Sequence, residues 1–274
     1  MTKADAALPP PVLSAERLRV TRDGRERGAR AVPEETAVSF TYGRATYAVM
    51  MATPQDLEDF AIGFSLTEGI VRRPGEIAEL DVVSLPLGIE LRITLSGARG
   101  EALEARRRTM AGPAGCGLCG IESLEAAVRK PARVESDVRI APETVFRVMR
   151  DLRARQPLNA ETHAVHAAGF WPFDGEGFAA VREDVGRHNA LDKLVGALAR
   201  NGRDAAGGIV ALTSRVSIEL VQKAAAIGCP VIAAVSAPTG YAMRAAEEAG
   251  LTLVAVARDD SFEIFTHSER IAGP

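Results

Sequence analysis

The feature that most restricts the fold lies between residues 208 and 257, where three short apolar segments alternate with two longer amphipathic ones. The apolar segments, at 208–213, 230–235 and 251–257, are predicted strands. The segments between them, at 217–227 and 239–249, have the length and spacing of helices. The order βαβαβ predicts parallel strands with right-handed crossovers, and therefore an α/β domain that binds ligands outside the carboxyl ends of its strands.

Polar and basic side chains follow each of these three strands. They are Ser214 and Arg215, then Ser236 and Thr239, then Arg258 with Asp259 and Asp260. Hydroxyl groups, helix N-termini and arginines are groups that bind phosphate. A simpler explanation for hydroxyls such as Ser217 and Thr239 is that each caps a helix. Because three strand ends converge in a parallel sheet, we expect an anion site at this edge.

The first half of the chain predicts a separate α+β arrangement. Residues 37–51 predict a hairpin, and 78–84 with 89–95 predict a second strand pair. Between them, Thr53 and Pro54 have the pattern of a helix start, and Gly69 that of a helix end. Residues 1–30 show no sustained period and are predicted to be a disordered tail. A polar stretch at 130–138 marks the predicted domain boundary, and a helix is expected over 142–155.

The bulk composition excludes several classes of function. The 274 residues carry a formal net charge of −3 and include three cysteines. No net positive field favours nucleic acid, no stretch of about 18 apolar residues favours a membrane, and residues 1–11 lack the apolar core of a signal peptide. Three cysteines are too few for a disulfide scaffold and fit a reducing compartment, so we expect a cytoplasmic protein.

Two cysteines in a glycine-rich segment are the strongest chemical signal. Cys116 and Cys119 form a Cys-x-x-Cys motif within 112–120, a segment whose glycines predict a mobile loop. The pair fits half of a zinc site, a dithiol redox pair, a sulfur carrier, or two inert thiols. A structural zinc usually needs four ligands, and a redox pair usually lies where a strand meets a helix, so the loop favours a carrier. Cys229, the third cysteine, is expected to be buried.

A polar run at 183–189 leads into an amphipathic helix at 190–198. Arg187, His188 and Asn189 offer guanidinium, imidazole and amide groups suited to anion recognition or proton transfer, although a strongly capped helix is the alternative. Upstream, His163 and His166 have the spacing of two metal ligands on one helix face. The glutamate and the Pro-Cys-x-x-Cys of a zinc deaminase are missing, so we predict no metal site.

Seven motifs in order over residues 34–267 resemble those of the formate dehydrogenase accessory sulfurtransferase family, the FdhD family. They lie at 50–54 with 56–58, at 63–70, 115–120, 166–168 and 183–193, at 214–217 with 221–223, and at 234–239. The resemblance implies a protein that accepts sulfur from a cysteine desulfurase. It implies transfer of that sulfur to the molybdenum bis(molybdopterin guanine dinucleotide) cofactor, which the protein binds before the cofactor is inserted into formate dehydrogenase.

The resemblance also implies residue roles. Cys116 matches the persulfide-bearing cysteine and Cys119 its partner, while the family's cofactor loop corresponds to Val256, Ala257, Arg258, Asp259, Asp260 and Ser261. A guanine nucleotide such as GDP would be a partial ligand, and a homodimer is expected. Two features depart from the family's pattern. His163 stands where many members have glycine, and Asp259 and Asp260 bring negative charge into the cofactor loop.

The combined prediction is a two-domain α/β protein. An N-terminal α+β domain spans 31–137, and a C-terminal domain of cytidine-deaminase-like α/β/α fold spans 138–274. The remaining predicted cofactor-binding residues are His166, Arg187, His188, Ser214, Arg215, Ser236 and Thr239. Two other functions stay open: a non-catalytic chaperone of the molybdenum cofactor whose cysteines clip a metal, and a dithiol oxidoreductase.

Overall fold

The structure is a computed structural model that describes residues 7–97, 100 and 130–273. The strands in those residues are β1 (Val12–Thr21), β2 (Gly24–Pro33), β3 (Thr36–Tyr42), β4 (Ala45–Ala52), β5 (Ile77–Leu85), β6 (Gly88–Leu95), β7 (His166–Pro172), β8 (Ala180–Asp184), β9 (Gly208–Leu212), β10 (Val231–Ala234), β11 (Thr252–Ala255) and β12 (Glu263–Thr266). The α-helices are α1 (Leu57–Thr67), α2 (Pro142–Ala154), α3 (Pro157–Thr162), α4 (Arg187–Arg200), α5 (Ile218–Ala226) and α6 (Gly240–Ala249).

The C-terminal domain is built on a six-stranded mixed sheet with the order β12-β11-β10-β9-β7-β8. β9, β10 and β11 are parallel, as the alternating pattern predicts. β7 runs antiparallel to β9, and β8 runs antiparallel to β7. The start of β7 and the end of β8 therefore reach the same edge as the ends of the three parallel strands.

Helices cover both faces of this sheet. The buried side chains of α4, α5 and α6 pack on one face, and those of α2 pack on the other. Every residue of β9, β10 and β11 is buried, as expected for central strands with helices above and below. The predicted apolar stripe of α4 is buried at all five of its positions, which are Ala190, Leu191, Leu194, Val195 and Leu198.

The N-terminal domain is a four-stranded sheet with the order β4-β3-β6-β5 and α1 on one face. β3 pairs antiparallel with β4 and parallel with β6, so α1 lies in the connection between two parallel neighbours. The ring of Phe40 in β3 lies 4.9 Å from that of Phe60 and 4.1 Å from that of Phe64, both in α1. The mixed α/β class predicted from the sequence is confirmed. The boundary between 137 and 138 stays a prediction.

The predicted start of α1 is wrong, and its predicted end is confirmed. The helix begins at Leu57 after Asp56, whose φ is 52°, and Thr53 does not cap it. Thr53 Oγ1 instead accepts a hydrogen bond at 3.1 Å from the backbone N–H of Val185 in the other domain. At the far end, Gly69 has φ = +68°, the left-handed conformation that glycine adopts without a steric penalty.

The predicted disordered tail over 1–30 is wrong for the part that the structure describes as strand. β1 and β2 form an antiparallel hairpin in which Val12 pairs with Pro33 and Thr21 with Gly24. The two strands make a sheet of their own. Backbone pairing organises these residues although they bury few apolar side chains. Within the described residues, no helix is both long and apolar enough to cross a membrane.

Candidate functional site

The predicted cofactor-binding residues meet at one edge of the C-terminal sheet. His166 begins β7 and pairs with Asp184, which ends β8 just before Arg187 and His188. The segments after β9, β10 and β11 hold the other predicted residues, at 214–215, 236–239 and 256–261. The structure thus brings together side chains that lie almost a hundred positions apart in the sequence. We call this group the sheet-edge site.

Backbone hydrogen bonds tie the strand-end segments to one another. The N–H of Thr239 donates to the carbonyl of Val216 at 2.9 Å, and the N–H of Ala257 donates to the carbonyl of Ala234 at 3.1 Å. Thr213 Oγ1 accepts from the N–H of Ala167 at 2.8 Å, which joins β7 to the end of β9. These links hold the loops in fixed positions above the sheet.

Val256 has an unusual backbone conformation at the start of the predicted cofactor loop. Its φ is +53°, in the left-handed region that β-branched residues rarely adopt. Such a conformation costs roughly 1–3 kcal/mol and persists only where the surrounding structure enforces it. Strain of this kind is concentrated at functional sites, so the conformation of Val256 is consistent with a functional role for this loop.

Arginines give the sheet-edge site a cationic character, and its histidines are neutral at pH 7. Burial lowers the pKa of His166, and the guanidinium groups of Arg187 and Arg215 lower it further. Arg187 Nε is buried and has no hydrogen-bond partner among the described residues. Two arginines beside neutral imidazoles can offer several N–H donors to one anion without an added histidine charge.

His188 is the most strongly perturbed histidine of the site. Burial, together with the charges of Arg187 and Lys223, lowers its pKa to about 4. Its Nε2 lies 3.3 Å from Ser217 Oγ and 3.8 Å from a carboxylate oxygen of Glu219. Since the imidazole is neutral at pH 7, the Glu219 contact is not an ion pair at that pH.

Ser217 connects His188 to Glu219. Although burial opposes it, a hydrogen bond from the Ser217 side chain lowers the pKa of Glu219. The hydroxyl can thus donate to Glu219 while it accepts from the N–H at Nε2 of His188. Both partners meet the same ring nitrogen, whereas a hydrolase triad uses the two nitrogens of the ring separately. The arrangement therefore orients the imidazole and does not create a serine nucleophile.

The loop after β11 is arranged by its own charges. Arg258 Nη1 donates to the carbonyl of Val235 at 2.6 Å, and Asp259 forms an ion pair at 2.7 Å with Arg153 of α2. Asp260 accepts a hydrogen bond at 3.2 Å from Ser261 Oγ. The partner on α2 offsets one of the two negative charges of this loop.

Thr239 and the two upstream histidines have structural positions. Thr239 Oγ1 accepts a hydrogen bond from the N–H of Ala242 at 3.2 Å and so caps α6, which confirms the helix-cap explanation for this hydroxyl. His163 follows α3 with φ = +56°, in the left-handed region that favours glycine. His166 lies in β7, so these two histidines do not lie on one helix face. Among the described residues, no three His, Cys, Asp or Glu side chains are grouped to hold a metal ion.

Most of the polar run at 183–193 joins the two domains. Asp184 and Lys193 are fully buried with 2.6 Å between the carboxylate and the ammonium group. Asp184 also accepts from the N–H of Thr53 at 3.0 Å, and Lys193 donates to the carbonyl of Thr53 at 2.8 Å. Asn189 donates to the carbonyl of Met51 at 2.8 Å. Of this run, Arg187 and His188 belong to the sheet-edge site.

A second buried charge cluster lies beside His188. Lys223 donates to Asp192 at 2.8 Å, to Thr67 at 3.0 Å and to Glu68 at 3.1 Å. Burial opposes its charge, but the carboxylates of Asp192 and Glu68 outweigh burial and raise the pKa of Lys223. The cluster includes residues of both domains, and the charge of Lys223 lowers the pKa of His188, so that pKa depends on the domain joint. No pattern in the sequence indicated a role for Glu219 or Lys223 in this site, and Ser217 was expected only to cap a helix.

The cysteines have separate environments. Cys116, Cys119 and the predicted loop at 112–120 lie outside the described residues. Cys229 is fully buried between α5 and β10, as predicted. Burial raises the pKa of its thiol to about 11, so Cys229 is a poor nucleophile at pH 7.

Comparisons with known proteins identify relatives over nearly the whole chain. The model of the FdhD/NarQ family matches residues 33–272. The sulfur carrier protein FdhD of Agrobacterium fabrum is 55% identical over 245 residues, which are 89% of this chain and 90% of that protein. The sulfur carrier protein FdhD of Brucella abortus is 55% identical over 249 residues, 90% of this chain and 92% of the relative.

A solved structure is similar in fold. A crystal structure from Desulfotalea psychrophila, assigned as a formate dehydrogenase accessory protein, superposes with a TM-score of 0.75 at 26% identity. The superposition covers 96% of this chain and 100% of the other. The similarity therefore includes both domains and the edge at which the predicted residues meet.

Proposed function

The chain belongs to the FdhD/NarQ family, and from that premise we propose that it is a cytoplasmic sulfur carrier serving formate dehydrogenase. It takes sulfur from a cysteine desulfurase as a persulfide on Cys116 and transfers it to the molybdenum bis(molybdopterin guanine dinucleotide) cofactor. The observation that carries the proposal is 55% identity over 90% of the chain to a sulfur carrier protein FdhD.

The sulfur transfer is a pair of exchange steps. The Cys116 thiolate attacks the outer sulfur of the desulfurase persulfide, a new S–S bond forms on Cys116, and the desulfurase cysteine leaves as a thiolate. On delivery, that S–S bond breaks and Cys116 regains its thiolate. The sulfur is reduced to sulfide by two electrons from the metal of the substrate. Cys119 assists by shielding or resolving the persulfide.

The sheet-edge site supports the binding of the cofactor's guanine nucleotide portion. Arg187 and Arg215 flank His166 and supply charged donors for a phosphate, and the buried Nε of Arg187 has an unused N–H. The strained Val256 begins the loop that would contact the base. We propose that the nucleotide's phosphates lie against these arginines, in a homodimer whose two copies each carry such a site.

A persulfide-loading experiment tests the carrier function. Purified protein is incubated with cysteine desulfurase and cysteine, and its peptides are analysed by mass spectrometry. We expect one added sulfur atom on the Cys116 peptide and none on the Cys229 peptide, because the pKa of Cys229 is about 11 and its side chain is buried. Cys229 is thus an internal control in every sample.

Two variants separate this proposal from its alternatives. Cys116→Ala should abolish loading, whereas Cys119→Ala should still accept sulfur and lose it faster. Equal labelling in wild type and Cys116→Ala would contradict the carrier assignment. About one equivalent of zinc that Cys119→Ala fails to retain would favour the chaperone with a metal clip. A reversible disulfide with steady turnover would favour the oxidoreductase.

A GDP titration tests the nucleotide site. Arg187→Met and Arg215→Met should each weaken GDP binding about tenfold or more, because a charge-assisted hydrogen bond contributes roughly 1.5–3 kcal/mol. Arg150→Met is the matched control, since Arg150 lies on α2 with its side chain 64% exposed. Unchanged affinity in both site variants by isothermal titration calorimetry would place the nucleotide elsewhere.

A further inference from the structure

The hairpin of β1 and β2 forms an arm that belongs to neither domain sheet. Its two ten-residue strands pair only with each other among the described residues. At about 3.3 Å per residue the arm is roughly 33 Å long. The base is held by α3, where Arg30 donates to the carbonyl of Thr162 at 3.3 Å. The first seven residues of β2 are all exposed, so the outer part of the arm stands in solvent.

The arm has its own charge. Residues 12–33 contain six arginines and three acidic residues, a net charge of +3 in a chain whose net charge is −3. The match to the family model begins at residue 33, the last residue of β2. The arm therefore lies before the region that the family model describes, and its net charge is opposite in sign to that of the whole chain.

β1 carries different chemistry on its two faces. Successive residues of a strand point to opposite sides, so Leu18 and Val20 share one face, and Arg17 and Arg19 share the other. Leu18 is 51% exposed and Val20 is 64% exposed. The outer edge of β1 carries backbone groups with no strand beside them in the described part of the chain. In the register of the hairpin, Arg25 and Arg27 of β2 lie on the face of Leu18 and Val20, and Glu26 lies opposite Arg19. The outer edge of β1 itself combines open backbone groups with apolar side chains on one side and arginines on the other, which is a template for a third strand.

We propose that the outer edge of β1 binds an extended segment of a partner protein in which acidic and apolar side chains alternate. Backbone hydrogen bonds add the segment to the arm as a third strand. Its apolar side chains then lie beside Leu18 and Val20, and its acidic side chains lie beside Arg17 and Arg19. The inference goes beyond sulfur transfer and does not depend on it.

The composition of the arm favours an acidic protein segment over nucleic acid or an anionic membrane surface as its partner. Residues 12–33 contain no Phe, Tyr or Trp. Single-stranded nucleic acid is usually bound by stacking on aromatic rings, and membrane-surface elements usually anchor with them. Glu16, Asp23 and Glu26 also interrupt the positive charge along the arm. Two copies of the arm, each with a net charge of +3, would repel each other, so self-pairing of arms is disfavoured.

A peptide-binding experiment with the full-length chain tests the proposal. The probe is a fluorescent ten-residue peptide of alternating Glu and Val, and the comparison peptide has five Glu followed by five Val. We expect the alternating peptide to bind more tightly. Arg17→Ser with Arg19→Ser should weaken that binding about tenfold, the effect of two charge pairs. Hydrogen exchange should show new protection at β1 amides that do not pair with β2.

Arg25→Ser with Arg27→Ser is the matched control. It removes the same charge from β2, on the face of Leu18 and Val20 and away from the outer edge of β1. We expect it to leave peptide affinity within about threefold, with both variants melting like wild type. Equal losses in the two variants would overturn the proposal, as would tighter arm-dependent binding of a DNA duplex or of phosphatidylglycerol vesicles. Arm-dependent dimerisation with no peptide binding would overturn it too.

Discussion

His188 shows how a single side chain is tuned by its surroundings. It lies among the charges of Arg187, Lys223 and Glu219, yet its imidazole stays neutral because burial and the two cations outweigh the carboxylate. A neutral imidazole at the edge of an anion site can donate or accept a hydrogen bond without altering the net charge of the site. The fold therefore keeps the cationic character of the site in its arginines.

The low pKa of His188 predicts a pH-dependent stability. The unfolded chain takes up this proton near pH 6.5, whereas the folded chain takes it up near pH 4. Between those values the unfolded state binds more protons, so the free energy of unfolding falls as the pH falls from about 6.5 to about 4. The full effect is at most about 3 kcal/mol. Urea unfolding at pH 7, 6 and 5 measures it.

A histidine variant and a control isolate this contribution. His188→Gln should reduce the loss of stability between pH 7 and pH 5. His163→Asn is the control, because His163 is exposed and asparagine tolerates its left-handed backbone. The control should keep the dependence of the wild type. An identical slope in His188→Gln and wild type would show that other groups cause the effect.

Two buried lysines show why part of the site could not be predicted residue by residue. Lys193 and Lys223 interrupt apolar helix stripes, and a charge at a core position is itself a sign of a buried partner. Asp184 and Asp192 are the charged partners. The sequence cannot identify the full set of partners, because Thr53 and Thr67 reach these lysines from the other domain. Three-dimensional packing, and not local pattern, decides which charges meet.

At the scale of elements, the crossing of α1 and α4 determines how the domains join. A Cβ on Gly63 would lie 1.7 Å from the carbonyl oxygen of Asp192, and a Cβ on Gly196 would lie 1.8 Å from that of Asp59. Only glycine allows the two backbones to approach so closely. Ion pairs flank the crossing, with Asp59 bonded to Arg182 at 2.7 Å and to Arg200 at 2.9 Å.

Gly63→Ala should therefore weaken the joint strongly. The methyl group must push the helices apart, and overpacking of this kind typically costs about 1–3 kcal/mol or more. Gly75→Ala is the matched control, because a Cβ there meets nothing within 4 Å. Chemical denaturation should show a clear drop in the midpoint for Gly63→Ala alone. Equal midpoints in the two variants would contradict the close crossing.

The elements that were predicted and those that were missed differ in pattern. β9 to β11 with α5 and α6 follow a βαβαβ order that short apolar runs and helix periods make visible. β7 was missed because a strand covered on both faces shows no alternation. The β1–β2 hairpin was missed although Asp23 and Gly24, residue types common at turns, lie where its two-residue loop Arg22-Asp23 meets β2. Because arginines occupy many of its exposed positions, the hairpin lacks the apolar residues that indicate strands in a sequence.

For the whole molecule, the layers form one continuous stack. The N-terminal sheet packs on α1, α1 packs on α4, and α4 packs on the C-terminal sheet. The sheet-edge site depends on this stack, since Thr53 and Thr67 hold the residues on either side of Arg187 and His188. The N-terminal domain is thus a structural support of a site formed by the C-terminal domain.

This support predicts cooperative unfolding of the two domains. Trp171, the single tryptophan, is 1% exposed in the C-terminal core, so its fluorescence reports that domain alone. In wild type, the urea transitions of tryptophan fluorescence and far-ultraviolet circular dichroism should coincide, because separating the domains would expose the Asp184–Lys193 pair and leave the backbone of Thr53 without its partners.

Gly63→Ala should separate these two transitions, with the circular dichroism signal changing first as β3 and β6 lose protection from hydrogen exchange. Two separate transitions in wild type would mean that the domains are stable independently, and that the buried charges at the joint position the site without stabilising the molecule.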